Sequence, residues 1–102
     1  MQIVNSSLSF GAQSGSGPRV QSTTVDMGTA VTQAAAFLSG FSVEFSDGDD
    51  HNLGLLDVQV QIPAGGINGS AVQVQVTYGL RDWSGDWDDK YDGQIFFTVV
   101  GD

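Results

Sequence analysis

Apolar and polar residues alternate with period two along most of the chain, which is the pattern of β-strands with one buried face. After a β-prone stretch at residues 19–25, five apolar residues share one parity, namely Ala35, Phe37, Phe41, Val43 and Phe45. Gly40 between them is a candidate bulge, and a change of apolar parity near residues 54–56 predicts a second one. No segment long enough for a helix has apolar residues at period 3.6.

The second half of the chain repeats the strand pattern. Alternation at residues 56–62 is followed by a Gly-rich and Pro-containing loop and resumes at residues 72–80, which predicts a hairpin. Residues 94–100 are apolar at both parities, as expected for a central strand or one covered by another subunit. About six short strands separated by turns predict an all-β fold, a six- to seven-stranded antiparallel β-sandwich that forms a single domain.

Residues 1–18 are predicted to form a Gly/Ser-rich N-terminal arm, and residues 19–102 the β-sandwich domain. Three glycines lie close together among the serines of this segment, a composition that orders poorly unless a partner holds it. A long loop that leads out of a short first strand around Ile3 and Val4 is the alternative interpretation.

The charge of the chain narrows the range of partners. Twelve acidic residues against three basic ones give a formal net charge of −9, which repels the phosphate backbone of nucleic acids and anionic lipid surfaces. No stretch approaches the roughly 20 apolar residues of a membrane span, and no signal peptide is recognised. We therefore predict a soluble, acidic protein without nucleic-acid or membrane partners. The absence of cysteine excludes disulfides and thiolate chemistry, and the compartment is left unassigned.

The most unusual segment is the predicted loop from Arg81 to Tyr91. Residues 81–93 hold both tryptophans, one tyrosine and five aspartates. Aromatic faces stack on the C–H patches of sugars while carboxylates accept hydroxyl hydrogen bonds, so this mixture suits saccharide recognition. The candidate ligand-binding residues are Trp87, Trp83, Tyr91, Asp86, Asp88, Arg81 and, from a second acidic loop, His51. Alternatively, Trp83 or Trp87 folds back as a core plug and the aspartates cap turns.

The second acidic loop, Ser46 to Asn52, is a candidate cation site or a polar rim beside the aromatic loop. The candidate metal ligands are Asp47, Asp49 and Asp50, with calcium as the ion to test and no other cofactor expected. Neither acidic loop fits the helix–loop–helix calcium pattern, and solvated tight turns are the alternative. His51 is the single histidine and no G-x-S-x-G elbow accompanies it, so no catalytic residue is predicted and the chain is not expected to be an enzyme.

Residues 19–100 resemble the H-type lectin domain through the segments Arg19–Ser22 and Val25–Gly28 and through the aromatic loop before the last strand. The resemblance implies a six-stranded antiparallel β-sandwich that assembles as a trimer, with N-acetylgalactosamine-type sugar sites near the subunit boundaries. It implies that Trp87 stacks on the sugar and that Tyr91 is the aromatic residue that follows it, with Trp83 as the alternative stacking residue. Gly54 stands where the family has a binding arginine.

Two functions follow as hypotheses from these observations. In the first, the chain is a lectin-like carbohydrate-binding module that recognises a glycan through loop 81–92 and gains avidity as a homotrimer or hexamer. In the second, it is a structural or assembly module of an oligomeric appendage or particle, without a small ligand, and the tryptophans serve packing.

Overall fold

In the computed structural model, which describes residues 1–13, 17–47 and 51–102, the chain forms β-strands joined by loops. The strands are β1 (Gln2–Gln13), β2 (Arg19–Asp26), β3 (Ala34–Phe45), β4 (Leu53–Gln61), β5 (Ile67–Asn68), β6 (Ala71–Asp82) and β7 (Tyr91–Gly101). All pairings are antiparallel, and two sheets pack as a sandwich-like single domain, which confirms the predicted fold class. In the described ranges, no helix is long and apolar enough to cross a membrane.

The two sheets are each organised around one central strand. The first has the order β1, β7, β3, and the second the order β2, β6, β4 with the short β5 beside β6. The last strand, apolar at both parities, is therefore central, as predicted. Strands β4 and β6 pair from Leu53 opposite Asp82 to Gln61 opposite Gln75, which confirms the predicted hairpin.

The core lies between the sheets and uses one parity of each central strand. Its largest contribution comes from the inward side chains of β6 and β7, namely Val72, Val74, Val76, Tyr78, Leu80, Tyr91, Ile95, Phe97 and Val99. The Tyr78 ring contacts Phe10 and Tyr91 edge-on, with centroid distances of 5.4 and 5.1 Å. Its hydroxyl donates to the Asp92 carbonyl at 2.6 Å, and burial raises the pKa of this phenol. This aromatic cluster supports the end of the sandwich at which the acidic loops lie.

The N-terminal segment is a strand over most of its length, so the prediction of an arm is wrong for Gln2–Gln13. These residues form β1 and pair with β7 from Gln2 opposite Gly101 to Gln13 opposite Tyr91. Phe10 is buried, and Val4 and Leu8 pack against the core. The apolar residues at 4, 8 and 10 share the parity of an inner face, and pairing with a central strand outweighs the disordering tendency of the Ser/Gly composition. Residues 14–16 of the predicted arm lie outside the described residues.

Two β-bulges set which side chains point inward. The register of β3 shifts between Leu38 and Gly40, and that of β4 between Leu53 and Leu55, which confirms both predicted bulges. A one-residue shift moves side chains to the opposite face. For this reason the predicted common face of β3 is wrong: the residues that pack on the core are Ala34 and Ala36 before the bulge and Val43 and Phe45 after it. Ala35 and Phe37 lie opposite Val100 and Thr98 on the outer face.

Candidate ligand-binding site

The two acidic loops meet at one end of the sandwich. Strand β3 ends opposite the start of β7, and β4 begins opposite the end of β6, so both connections leave from the same edge. Backbone hydrogen bonds join them: Ser46 N donates to the Lys90 carbonyl at 2.8 Å, and Trp83 N donates to the Asn52 carbonyl at 3.0 Å. The interpretation of the Ser46–Asn52 loop as a polar rim beside the aromatic loop is therefore confirmed for its described part.

His51 is the centre of a polar cluster between the loops. Its Nε2 lies 2.9 Å from the Asp47 carboxylate, and its Nδ1 lies 3.3 Å from Asp82 Oδ2 and 3.6 Å from Asp89 Oδ2. The ring also packs on Phe45 at a centroid distance of 4.5 Å, and the His51 side chain is 11% exposed. Asp82 and Asp89 were not predicted as site residues, because nothing in the spacing of the five loop aspartates tells which of them turn towards the distant His51, which is 31 residues from Asp82.

The cluster shifts the protonation of three of its members. The hydrogen bond to Asp47 is the main cause that raises the pKa of His51 above 6.5. The hydrogen bond from Ser84 lowers the pKa of Asp82 from 3.8 to about 2, and the interaction with the Asp82 carboxylate raises the pKa of Asp89. A protonated imidazole next to an ionised Asp82 thus offsets part of the mutual repulsion of the carboxylates at this end of the chain.

We expect the His51 cluster to make stability depend on pH above 6.5, the ordinary pKa of the imidazole. Because the folded pKa is raised, the stabilising contribution is fully present below the unfolded value and is lost as pH rises through the folded value. This loss is measured as the free energy of unfolding in urea, determined at several pH values from about 5.5 to about 8.5, a range that covers that pKa. The His51→Gln variant keeps a hydrogen-bonding side chain and should lose the dependence in this window. A wild-type profile that is flat there would contradict the expectation.

Trp83 is the exposed aromatic residue of the site. Its side chain is 73% exposed, although the backbone around it is fixed. The Asp82 carboxylate accepts a hydrogen bond from Ser84 N at 3.0 Å, and Gly85 turns the chain with φ of +87°. These contacts form a tight turn that presents the indole to the surface next to Asp82 and Ser84.

Trp87 occupies a different environment from Trp83. It is half-buried and packs against the core, with its ring 6.2 Å from Tyr91 and 5.5 Å from the Arg81 guanidinium carbon. Gly17 and Gly79 give it room, since a Cβ at either position would collide with the indole. The sequence left open whether Trp83 or Trp87 folds back against the core. In the structure it is Trp87 that does so.

The remaining predicted ligand contacts divide between core and surface. Tyr91 is 1% exposed and belongs to the core, so the expectation that it touches a ligand is corrected. Its parity on β7 places it under the loop, where it supports Trp87 and Tyr78. Arg81 is half-buried at the end of β6, whereas Asp86 and Asp88 are exposed on the loop. The loop thus brings Trp83, Asp86 and Asp88 to the surface but not Tyr91.

The predicted metal ligands are described only in part. Asp47 lies in the cluster, while Asp49 and Asp50 lie outside the described residues. One ligand atom from each of Asp47, His51 and Asp89 lies within 4.8 Å of the others, a spacing that could hold a metal ion. Calcium prefers six to eight oxygen ligands, whereas a set with an imidazole suits first-row transition ions. Calcium binding stays a prediction.

Comparisons with protein-family models, curated proteins and solved structures give no match. The resemblance to H-type lectins therefore stays an expectation, and the site has to be judged on its own geometry. Gly54 lies at the β4 bulge, and a Cβ there would collide with the Asp82 carbonyl, so no longer side chain fits at this position.

Proposed function

We propose that this chain is a glycan-binding, lectin-like module without catalytic machinery, and that Trp83 is the residue that stacks on the saccharide. The observation that carries the proposal is the contrast between the two tryptophans of one loop. Trp87 is packed into the fold, whereas Trp83 is held at its backbone and exposed at its side chain. An indole that stays in water contributes no burial free energy to folding, and a ligand that covers it would gain that free energy on binding.

The neighbours of Trp83 supply the polar part of saccharide recognition. Asp86 and Asp88, exposed on the same loop, offer carboxylate oxygens that accept hydrogen bonds from sugar hydroxyls. The Asp82 carboxylate and the Ser84 hydroxyl are bonded to each other and hold the turn. The indole face takes the apolar C–H side of the ring. Such an open surface binds a single sugar weakly, so the proposal includes self-association, with the homotrimer or hexamer expected from the resemblance, to raise avidity by about 10²-fold or more.

The surroundings of His51 support binding rather than hydrolysis. Both ring nitrogens face carboxylates, Nε2 towards Asp47 and Nδ1 towards Asp82. A general base needs a ring nitrogen directed at the hydroxyl that it deprotonates. In this arrangement the imidazole links two loops, and its role in the proposed module is to position the loop that carries Trp83.

A glycan array tests the proposal with the assembled protein and two variants. Trp83→Ala should weaken binding at least about tenfold, because a central aromatic residue of a binding site commonly contributes more than ~1.4 kcal/mol. The control is Val20→Ala, which also removes an exposed apolar side chain but from β2, on the outer face of the four-stranded sheet. The control should bind as the wild type does. Absence of any glycan binding by the wild type, or full binding by Trp83→Ala, would refute the proposal.

A second candidate function is a structural or assembly module of an oligomeric appendage or particle that binds no small ligand. It is favoured by large apolar side chains that the fold leaves exposed away from the loop, among them Met1, Ile3 and Phe37. The same variants separate the two functions, since loss of glycan binding by Trp83→Ala with an unchanged molecular mass favours the lectin-like module. A Trp83→Ala variant that dissociates favours assembly.

A further inference from the structure

The outer face of the three-stranded sheet carries no ionisable side chain over four consecutive rows. The residues of these rows point away from the core because they alternate with inward ones along β1, β7 and β3. They are Ile3, Asn5, Ser7 and Ser9 on β1, Gln94, Phe96, Thr98 and Val100 on β7, and Ala35, Phe37, Gly40 and Ser42 on β3. Because the net charge of the chain is −9, two copies repel each other, but they could meet through these four rows without bringing like charges together.

The uncharged face also exposes a large apolar side chain on each of its three strands. Ile3 is 61% exposed on β1 and Phe37 is 55% exposed on β3, and Phe96 is exposed between them on the central strand. One row runs from Ile3 through Val100 to Ala35. Aromatic enrichment with depletion of charge is the composition that distinguishes the buried centre of protein interfaces from ordinary surface.

The polar side chains of the uncharged face already bond to each other. Thr98 Oγ1 donates to Asn5 Oδ1 at 2.7 Å, and Gln94 Nε2 donates to Ser7 Oγ at 3.0 Å. Both bonds connect β1 to β7 across the sheet. Polar groups that are paired in this way cost less free energy when they lose water than unpaired ones do.

The opposite outer face, on the four-stranded sheet, differs in each respect. It presents Asp26 from β2, Asp57 from β4 and Arg81 from β6, and its other positions are mostly Gln, Ser and Thr. Charge is therefore present on this outer face and absent from the four rows of the uncharged face. Charged groups lie at the rim of the uncharged face. Glu44 is opposite Asp92 at one end, and the N-terminal amine lies 3.6 Å from Asp102 Oδ1 at the other. An apolar centre within a polar rim is the usual anatomy of an interface.

We propose that the uncharged outer face of the β1–β7–β3 sheet is covered by the same face of a second copy of this chain. A charged partner would find no complementary group on it, whereas a second copy brings a face of matching apolar composition and equal lack of charge. Two sheets pack face to face through such side chains at a spacing of about 10 Å. Contact between identical faces is two-fold symmetric, so it produces a dimer.

The inference does not rest on glycan binding, and it gives the assembly candidate a defined surface. It is tested by the molecular mass in solution, measured by sedimentation over a range of protein concentrations for the wild type and three variants. Phe37→Asp and Ile3→Asp place a carboxylate on the two edges of the uncharged face. Each should weaken association at least about 100-fold, because like charges would be juxtaposed without a partner.

The matched control is Val20→Asp, which adds the same charge to an edge strand of the other sheet. Val20 is 54% exposed on the outer face, close to the 55% of Phe37. We expect the wild type to form an assembly with an even number of copies. Val20→Asp should preserve this assembly, whereas Phe37→Asp and Ile3→Asp should dissociate it. The circular dichroism of all three variants should match that of the wild type, because all three sites are exposed. A wild type that is monomeric or trimeric throughout overturns the proposal. So does retention of mass by both Phe37→Asp and Ile3→Asp, or equal dissociation by Val20→Asp.

Discussion

Trp87→Ala is expected to lower the free energy of unfolding by about 3 kcal/mol, the lower end of the loss on truncation of a buried aromatic residue, because Trp87 is half-buried. The indole fills the space above Gly17 and Gly79 and lies against Tyr91, so its removal leaves a cavity that these backbone segments cannot close. Its loss also exposes the Arg81 guanidinium that stacks over the ring. A domain of this size is stable by about 5–15 kcal/mol, so the change is a large share of the total.

Trp83→Ala is the matched control, because it removes the same side chain from the same loop. Trp83 is exposed, so its truncation should change the free energy of unfolding by no more than about 0.5 kcal/mol. Urea unfolding followed by circular dichroism gives both values without relying on tryptophan fluorescence. Equal losses for the two variants, or a larger loss for Trp83→Ala, would contradict the assignment of Trp87 as the structural tryptophan.

Arg19→Ala is expected to destabilise the fold by about 2–3 kcal/mol, since hydrogen bonds of charged groups contribute more than neutral ones. The guanidinium of Arg19, on β2, donates to the Gly11 carbonyl at 2.6 Å and to the Tyr91 carbonyl at 2.8 Å. It also lies 4.3 Å from the centroid of the Tyr91 ring and 5.5 Å from that of Phe10. One side chain of the four-stranded sheet thus connects to both β1 and β7 of the other sheet.

The control for Arg19 is Lys90→Ala, which removes one positive charge from an exposed position and so reproduces the change in net charge. It should alter the free energy of unfolding by less than about 0.5 kcal/mol. Arg19→Lys keeps the charge but not the planar guanidinium, and we expect it to recover only part of the loss. Comparable destabilisation by Lys90→Ala and Arg19→Ala would mean that net charge, and not these contacts, explains the effect.

The alternation of apolar residues was sufficient to predict the fold class and the β4 bulge, because a buried face imposes period two and that bulge changes the apolar parity. The β3 bulge was predicted from Gly40, since the apolar parity does not change around it. The alternation was not sufficient for β1. Ser6, Ser7 and Ser9 dilute the apolar signal there, and the strand forms through its pairing with β7, whose residues are 78 to 99 positions away in sequence. It also failed on β3, where the bulge exchanges the two faces and composition does not indicate on which side the core lies.

The sequence was sufficient to locate the candidate site but not to predict which of its side chains are packed and which are exposed. Composition identified the aromatic loop and His51, and the structure brings them together. Which tryptophan is packed depends on Gly17 and Gly79, which approach the loop from other parts of the chain and carry no local signal. The His51 contacts with Asp82 and Asp89 have the same origin, since they cross between two loops.

The two tryptophans allow a direct test of the proposal that Trp83 binds the saccharide and Trp87 supports the fold. Each tryptophan contributes one indole N–H signal to a proton–nitrogen NMR spectrum. The spectrum should be recorded while the protein is titrated with monosaccharides that include N-acetylgalactosamine, and the signals assigned with Trp83→Phe. We expect a saturable shift of the Trp83 signal while the Trp87 signal stays in place. A shift of Trp87 alone, or no shift of either signal with a glycan that the array identifies as bound, would contradict the proposal.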